Sequence, residues 1–139
     1  MKIQKTLDNA KIPTYGSEGA ACFDIYSAVD VEVYPNETKL IRTGLIFDIP
    51  DGHEMQIRPR SGLSAKTELR IANSPGTIDS DYKKEVYIAI YNCAKHDKYK
   101  IKAGDRIAQG LVQKVNKTTF ELVENITDTG RGGFGSTGV

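Results

Sequence analysis

Short runs of β-branched and aromatic residues, each ending at a turn signal, dominate this chain. Before Ser61 no segment shows the apolar period of about 3.6 residues that indicates a helix. Residues 64–69 are the one stretch that suggests one or two helical turns. Many short strands with regularly spaced turn signals are typical of an all-β sandwich or barrel. We therefore predict an all-β fold, a jelly-roll-like β-barrel or sandwich with at most one short helix.

The turn signals also predict which strands are neighbours. Asp51-Gly52 is a strong hairpin pair, and we expect it to join the strand at 46–50 to one at 55–58. Pro75-Gly76 is a second turn, after which residues 77–78 and 86–91 resemble the two arms of a hairpin. Inside a further strand at 107–115, Gly110 indicates a bulge or a close backbone approach. The remaining predicted strands cover residues 2–4, 20–28, 29–33, 38–45 and 120–123.

Composition excludes several classes of function. The 139 residues suit one domain with one core, and a net charge of +1 without a basic tract argues against nucleic-acid binding. No apolar run approaches membrane-spanning length, and the start lacks the apolar segment of a secretory signal, so we expect a cytoplasmic protein with no membrane partner. Cys22 and Cys93 form no CxxC pair, and two histidines are too few for a zinc cluster.

The first candidate for chemistry is Asp79, which directly follows the predicted strand Thr77-Ile78. A carboxylate held at the tip of a hairpin is a candidate general base. Aspartate is also an ordinary solvated turn residue. This segment alone leaves both interpretations open.

The second candidate is the turn at residues 59–64, which contains Arg60, Ser61 and Gly62. A guanidinium, a hydroxyl and a glycine N–H are three kinds of donor suited to phosphate oxygens. A helix starting near Ser64 would add a favourable dipole. The alternative is an ordinary turn in which serine caps a helix.

Two further segments carry polar side chains with more than one possible role. Arg106 and Gln109 could contact an anion or an amide, although Arg106 could equally pair with Asp105 or another acid. Asp24 lies inside the strand predicted at 20–28. It must face solvent or be held by partners, because an unpaired buried carboxylate is costly.

The C-terminal tail is rich in glycine, and such ends are usually disordered. Phe134 is its one aromatic residue, with Arg131 before it and Ser136 after it. Such a tail could close over a site, with Phe134 stacked on a base and Arg131, Ser136 and glycine N–H groups on phosphate. We therefore divide the chain into a β-barrel domain at 1–126 and a flexible arm at 127–139.

Taken together and in order, five stretches resemble the five motifs of the trimeric dUTP diphosphatase (dUTPase) family. Three positions depart from the family pattern: Cys22 replaces a usual glycine, Gly110 a usual large aliphatic residue, and Thr129 stands where the tail's arginine is expected. Arg131 sits closer to the Gly-Phe-Gly run than in many members. The five stretches are residues 21–28, 59–63, 76–82, 104–109 and 131–138.

The resemblance implies a jelly-roll subunit in a homotrimer, with three active sites shared between subunits. It implies hydrolysis of dUTP to dUMP and pyrophosphate, which keeps the nucleotide pool clean and supplies dUMP for thymidylate synthesis. It also implies Mg²⁺ as cofactor, held mainly by the substrate phosphates with no direct protein ligand.

The resemblance assigns a role to each matching position. Asp79 matches the catalytic base that activates the attacking water, and Tyr82 the aromatic that packs under deoxyribose and leaves no room for a 2′-hydroxyl. Asn73 matches the residue that reads the uracil edge, and Asp24 matches a structural acid near the metal and phosphates. The other substrate-binding positions are Arg60, Ser61, Gly62, Gly76, Ile78, Gln109, Arg131, Phe134, Gly135 and Ser136.

Three alternatives remain at this point. A dCTP deaminase-like enzyme on the same fold would release ammonia from dCTP, whereas the run from Asp79 to Tyr82 and the Phe134 arm favour phosphate hydrolysis. A non-catalytic nucleotide-sensing or partner-binding protein would keep the pocket, but an intact Asp79 and tail argue against it. A purely structural β-domain leaves five coincident motifs unexplained.

Overall fold

The structure is a computed structural model that describes residues 1–133. Within this part the chain forms twelve strands and one short helix, which confirms the predicted all-β fold. None of the described residues forms a helix with the length and apolar character needed to cross a membrane. The elements are β1 (Lys2–Lys5), β2 (Thr14–Tyr15), β3 (Phe23–Tyr26), β4 (Val31–Val33), β5 (Thr38–Arg42), β6 (Leu45–Asp48), β7 (His53–Arg58), α1 (Ser61–Lys66), β8 (Leu69–Ile71), β9 (Gly76–Ile78), β10 (Tyr87–Asn92), β11 (Tyr99–Ile101) and β12 (Arg106–Lys114).

The strands form four antiparallel sheets whose neighbours are mostly distant in sequence. The largest sheet has the order β2-β3-β12-β7-β9, and a second has the order β5-β10-β8. β1 pairs with β6, and β11 pairs with β4. The late strand β12 thus lies between the early strands β3 and β7. Such crossovers between antiparallel sheets give the jelly-roll arrangement that the sequence predicts.

The core follows from the two-residue alternation of the strands. In β3 the side chains of Phe23 and Ile25 are buried, whereas Asp24 and Tyr26 are only half-buried. In β10 Ile88 and Ile90 are fully buried. Each such side chain stabilises the fold by about 1.5–3 kcal/mol relative to an exposed one. The core cluster comprises Ala10, Phe23, Ile25, Val33, Ile41, Leu45, Phe47, Ile49, Met55, Ile57, Leu69, Ile71, Val86, Ile88, Ile90, Ile101, Ile107 and Ala108.

Gly110 is the close backbone approach that its place inside a strand predicts. A Cβ added to Gly110 would lie 2.3 Å from Cε2 of Phe23 and 3.1 Å from Cδ1 of Ile25. The absent side chain lets the Phe23 ring lie directly on the backbone of β12. A register shift between Arg106 and Ala108 also marks an irregularity where β12 meets β3.

Both predicted hairpins are wrong, although the turn at Asp51-Gly52 forms, whereas Gly76 is already the first residue of β9. At Asp51-Gly52 the N–H of His53 donates to the carbonyl of Pro50 at 3.1 Å, and Gly52 has a φ of +73°. The chain then changes sheets, because β6 pairs with β1 and β7 pairs with β12 and β9. Likewise β9 pairs with β7, whereas β10 pairs with β5 and β8. Local turn chemistry specifies a reversal, but burial of each strand's apolar face selects its neighbour.

The strand predicted at 120–123 is also wrong for the isolated chain, since residues 115–133 contain no strand. Phe120 is 95% exposed and Leu122 100% exposed. An alternating apolar segment becomes a strand only when a partner strand and an apolar surface receive it. The short strands β2 and β8 are not predicted from the sequence, because two or three residues carry too little periodicity.

Candidate active site

The carboxylate of Asp24 lies between two arginines. Asp24 is on β3, its side chain is 15% exposed, and Arg60 Nε donates to Oδ1 at 2.9 Å. Arg106 Nη1 donates to Oδ2 at 3.1 Å. The carboxylate of Asp105 instead accepts the N–H of Lys102. Of the possible acid partners, Arg106 thus pairs with Asp24 and not with its sequence neighbour, and its contact with an anion stays a prediction.

The guanidinium of Arg60 is held by two hydrogen bonds and keeps further donors. Besides the bond to Asp24, its Nη1 donates to the carbonyl of Arg106 at 3.1 Å. Its Nη2 makes no hydrogen bond to any of the described residues 1–133. Arginine offers five N–H donors in a rigid plane, so a side chain held this way can still receive an anion.

The helix α1 begins at Ser61, three residues before the predicted start at 64. It ends at Lys66 because the backbone of Thr67 is extended, and both the N–H and the Oγ1 of Thr67 donate to the carbonyl of Leu63 in the last turn. Ser61 and Gly62 therefore lie in the first turn, where backbone N–H groups have no intrahelical acceptor. Both are exposed, and a Cβ added to Gly62 would meet no atom within 4 Å. The turn thus offers a hydroxyl and free backbone donors beside Arg60.

The side chain of Gln109 makes a hydrogen bond to the backbone that leads into this turn. On β12 it lies opposite Asp24 of β3 and Arg58 of β7. Its Nε2 donates to the carbonyl of Pro59 at 2.8 Å, directly before Arg60. The pairing of β3, β12 and β7 thus brings the turn that carries the donors close to the carboxylate of Asp24, which holds Arg60. A contact between Gln109 and phosphate stays a prediction.

A second group of candidate residues surrounds β9. Asn73 lies in the turn before it, which contains a cis Ser74–Pro75 peptide bond. Gly76 is buried, and a Cβ added there would lie 3.3 Å from Nδ2 of Asn73. β9 is an edge strand that pairs only with β7 among the described residues. One edge of Gly76–Ile78 therefore presents backbone donors and acceptors beside the Asn73 amide.

Asp79 is exposed and leaves the end of β9. The N–H of Tyr82 donates to the carbonyl of Asp79 at 3.1 Å, which closes a turn. The Tyr82 side chain is 38% exposed, and its hydroxyl donates to the carbonyl of Glu85 at 3.0 Å. Asp79 lines a cavity of about 400 Å³ together with Gly52, His53, Glu54, Ser80, Asp81, Val115 and Lys117.

Glu54 is a residue of this cavity that the sequence analysis does not single out. Nε2 of Gln113 and Nε2 of Gln56 both donate to its Oε1 at 2.7 Å, and these bonds lower the pKa of Glu54. Its carboxylate therefore stays charged beside Asp79. In the sequence, polar residues alternate with apolar ones along β7. This alternation indicates that Glu54 belongs to a row of solvent-facing side chains.

The two groups of candidates line separate cavities of one chain. Arg60 and Arg106 line a cavity of about 320 Å³ under α1. This cavity shares no residue with the one that Asp79 lines. The structure therefore gathers the anion donors around Asp24, and the base candidate around β9, without joining them.

Of the predicted arm, only the first part is described. Arg131 is exposed, and nearby the N–H of Gly130 donates to Oδ1 of Asp128 at 2.8 Å. Phe134, Gly135 and Ser136 lie outside the described residues. Within residues 1–133 no group of three or more His, Cys, Asp or Glu side chains is arranged to hold a metal ion.

Comparison with known proteins gives concordant matches. A family model described as dUTPase matches residues 8–138. The chain is 43% identical to the deoxyuridine 5′-triphosphate nucleotidohydrolase of Helicobacter pylori, over 100% of this chain and 97% of that protein. It is 46% identical to the protein of the same name from Nautilia profundicola, over 99% and 98% of the two chains.

Solved structures agree with the sequence matches. The dUTPase of Staphylococcus bacteriophage 80alpha with dUPNHPP superposes with a TM-score of 0.91 at 29% identity, covering 99% of this chain and 98% of that one. A mutant dUTPase from phage phi11 of S. aureus has a TM-score of 0.82 at 28% identity, covering 89% and 96%. That structure is described as showing the coordination of a structural Mg(II) ion.

Proposed function

The chain belongs to the dUTPase family, and from this premise we propose how its residues share the hydrolysis of dUTP to dUMP and pyrophosphate. It is a dUTP diphosphatase, since its relatives along the whole chain carry that activity in their names. The observation that carries the division of roles is the exposed carboxylate of Asp79, which directly follows an edge strand that can read a base.

Asp79 is proposed as the general base. Water is a weak nucleophile, so a carboxylate that accepts its proton during attack at the α-phosphorus lowers the barrier. The side chain is exposed and lines a polar cavity, where a water molecule can reach it. Removal of such a base typically costs about 10²–10⁴-fold in rate.

The turn at α1 is proposed to receive the phosphates. Arg60 has donors left after its bond to Asp24, and Ser61 and Gly62 add a hydroxyl and backbone N–H groups. Donors that are already oriented stabilise the charge that develops on the pyrophosphate leaving group. Gln109 would act at the same turn, through Pro59 or by direct contact.

The edge of β9 is proposed to select the base and the sugar. Asn73 and the backbone of Gly76–Ile78 provide amide donors and carbonyl acceptors that can match the uracil edge. Tyr82 would pack under the deoxyribose, where its ring leaves no space for a 2′-hydroxyl. The site would thereby select deoxyribonucleotides by shape, because they lack the 2′-hydroxyl that the ring excludes.

Mg²⁺ is the proposed cofactor, bound mainly across the substrate phosphates. When bound, it neutralises phosphate charge and orients the leaving group. Magnesium keeps several waters and needs few protein ligands, so this role requires no cluster of carboxylates. Asp24, the acid bonded to Arg60 of the phosphate turn, already accepts from two arginines and would act through Arg60 rather than on the metal.

A homotrimer with shared sites is the proposed assembly. Two features support it: the anion donors and Asp79 line separate cavities of one chain, and an apolar C-terminal segment is exposed. A neighbouring subunit would bring the two surfaces together. We keep the division into a domain at 1–126 and an arm at 127–139, with Arg131, Phe134, Gly135 and Ser136 closing the site.

The test is a screen of pyrophosphate release across nucleoside triphosphates, with and without Mg²⁺, on the parent protein and Asp79→Asn. We expect the parent to prefer dUTP and to need Mg²⁺. Asp79→Asn should bind dUTP and lose most turnover, whereas Asp81→Asn, the neighbouring acid in the same loop, should keep it. Parent-rate hydrolysis of dUTP by Asp79→Asn would exclude this residue as the base.

A further inference from the structure

Glu85 accepts four hydrogen bonds on its carboxylate. Oε1 accepts Nε of Arg42 and the N–H of Gly44, both at 3.0 Å. Oε2 accepts Nη2 of Arg42 at 2.6 Å and Oγ1 of Thr6 at 2.8 Å. The side chain is only 9% exposed, and burial of a charge at this level requires such partners. Glu85 lies outside every role assigned above.

The partners of Glu85 belong to the rigid barrel. Arg42 ends β5, and Thr6 follows β1. Gly44 lies between β5 and β6 with a φ of +68°, and a Cβ added there would lie 2.7 Å from Cβ of Ala10. Next in sequence, Val86 donates its N–H to Leu45 O at 2.9 Å. The chain therefore re-enters the barrel at a fixed point.

The segment that ends at this point carries the site. Between β9 and Glu85, residues 79–84 contain no strand or helix and include both Asp79 and Tyr82. The Tyr82 hydroxyl donates to the backbone carbonyl of Glu85 at 3.0 Å. A second tie, from Lys83 to Asp48, is about half exposed on both sides and contributes little. Glu85 is thus the buried attachment of the loop.

We infer that Glu85 is a positioning residue for sugar selection: its carboxylate, held by Arg42, Thr6 and Gly44, fixes the carbonyl that orients the Tyr82 ring. This inference rests on the proposed role of Tyr82 against the deoxyribose. A tyrosine ring whose hydroxyl is anchored cannot move aside, so it clashes with the 2′-hydroxyl of a ribonucleotide. When the anchor loosens, the ring can yield to a 2′-hydroxyl.

Glu85→Gln tests the anchor with almost no change of shape. In glutamine an NH₂ group replaces one carboxylate oxygen, and it cannot accept the hydrogen bonds that this oxygen accepted. Part of the network is therefore lost. We expect the ratio of kcat/KM for dUTP to kcat/KM for UTP to fall about 10- to 100-fold, the effect of a misplaced contact. The ratio does not depend on the fraction of active enzyme, so simple destabilisation leaves it unchanged.

The experiment measures this ratio for the full-length protein and six variants, of which Glu85→Gln is the first. Tyr82→Phe removes the hydroxyl that reaches Glu85, and Tyr82→Ala removes the ring. The double variant of Glu85→Gln and Tyr82→Phe completes a cycle. Asp48→Asn is the matched control, because it breaks the exposed tie to the same loop. Arg42→Lys keeps the charge and loses the two-point contact, so it tests the anchor even where Glu85→Gln fails to fold.

The inference predicts equal losses for Glu85→Gln, Tyr82→Phe and their double variant, because the two groups act in one chain of contacts. Asp48→Asn should match the parent. An unchanged ratio in Glu85→Gln or Arg42→Lys, or additive losses in the double variant, would overturn the inference. An unchanged ratio in Tyr82→Ala would instead refute the proposed role of Tyr82 itself.

Discussion

Arg60 and Asp24, 36 residues apart in sequence, are joined by an Nε–Oδ1 hydrogen bond of 2.9 Å. The bond connects the middle of β3 to the turn that starts α1. Both side chains are largely shielded, with 22% of Arg60 and 15% of Asp24 exposed. Charge-assisted hydrogen bonds of this kind restrict the guanidinium to one orientation before any substrate arrives. We therefore propose that Asp24 acts by holding Arg60 in the orientation that receives the phosphates.

Asp24→Asn should therefore weaken binding of the triphosphate more than it slows the chemical step. The amide loses one charge-assisted contact, worth about 1.5–3 kcal/mol, so kcat/KM for dUTP should fall about tenfold or more, mainly through KM. Steady-state pyrophosphate release measures both constants. Glu32→Gln is the control, because its pair with Lys98 is exposed and includes neither Asp24 nor Arg60. Equal kinetics in parent and Asp24→Asn would contradict the role of Asp24.

Gly110→Ala should destabilise the barrel. The added methyl would lie 2.3 Å from the Phe23 ring and 3.1 Å from Ile25, and overpacking of this kind costs about 1–3 kcal/mol. Thermal unfolding at one fixed protein concentration measures the loss as a lower Tm. Gly19→Ala adds the same methyl where no atom lies within 4 Å, and it should leave Tm nearly unchanged.

Leu122→Glu should weaken the proposed trimer. Leu122 is 100% exposed in the single chain, in a segment that also exposes Phe120 and Ile126. If a neighbouring subunit covers this segment, a buried and unpaired carboxylate opposes association. Sedimentation across a range of concentrations measures the mass. Thr119→Glu places the same charge on the same segment and should stay trimeric. A monomeric parent protein would refute the assembly.

The contribution of Glu85 to folding stability should decrease at acid pH. Its bonds to Arg42, followed by those to Thr6 and Gly44, lower the pKa of Glu85 below its ordinary value of 4.5. The stabilisation is therefore fully present above pH 4.5 and is lost as the pH falls through the lower folded value. The difference in Tm between the parent and Glu85→Gln should be constant near neutral pH and should shrink below pH 4.5. A difference that grows on acidification would contradict this linkage.

Local features could be predicted from the sequence wherever one residue type explains one conformation. The turn at Asp51-Gly52 and the close approach at Gly110 follow from what glycine permits. The donors of Arg60, Ser61 and Gly62 are adjacent in sequence, so one turn must bring them together. Their association with Asp24 was not accessible, because a charged pair formed across strands leaves no local pattern.

The strand pairings failed for a related reason. Asp51-Gly52 forms the expected turn, but the neighbour of each strand depends on which apolar faces the barrel can bury together. The exposed Phe120 and Leu122 illustrate the limit, since their alternation predicts a strand that the single chain cannot complete. Burial is a property of the assembled surface, not of the segment.

The sequence by itself determined that the chain is all-β, where it turns, and which side chains are able to act as base, anion donors and ring. These depend on residue types and short spacings, which act over a few bonds. Only the tertiary structure decided that Asp24 holds Arg60 and Arg106, that β9 is an edge, and that Glu85 anchors the loop of Asp79 and Tyr82. The contacts of Asp24 with the two arginines and of Glu85 with Arg42 join residues 36 or more positions apart in sequence, and they exist only after the core has brought the strands together.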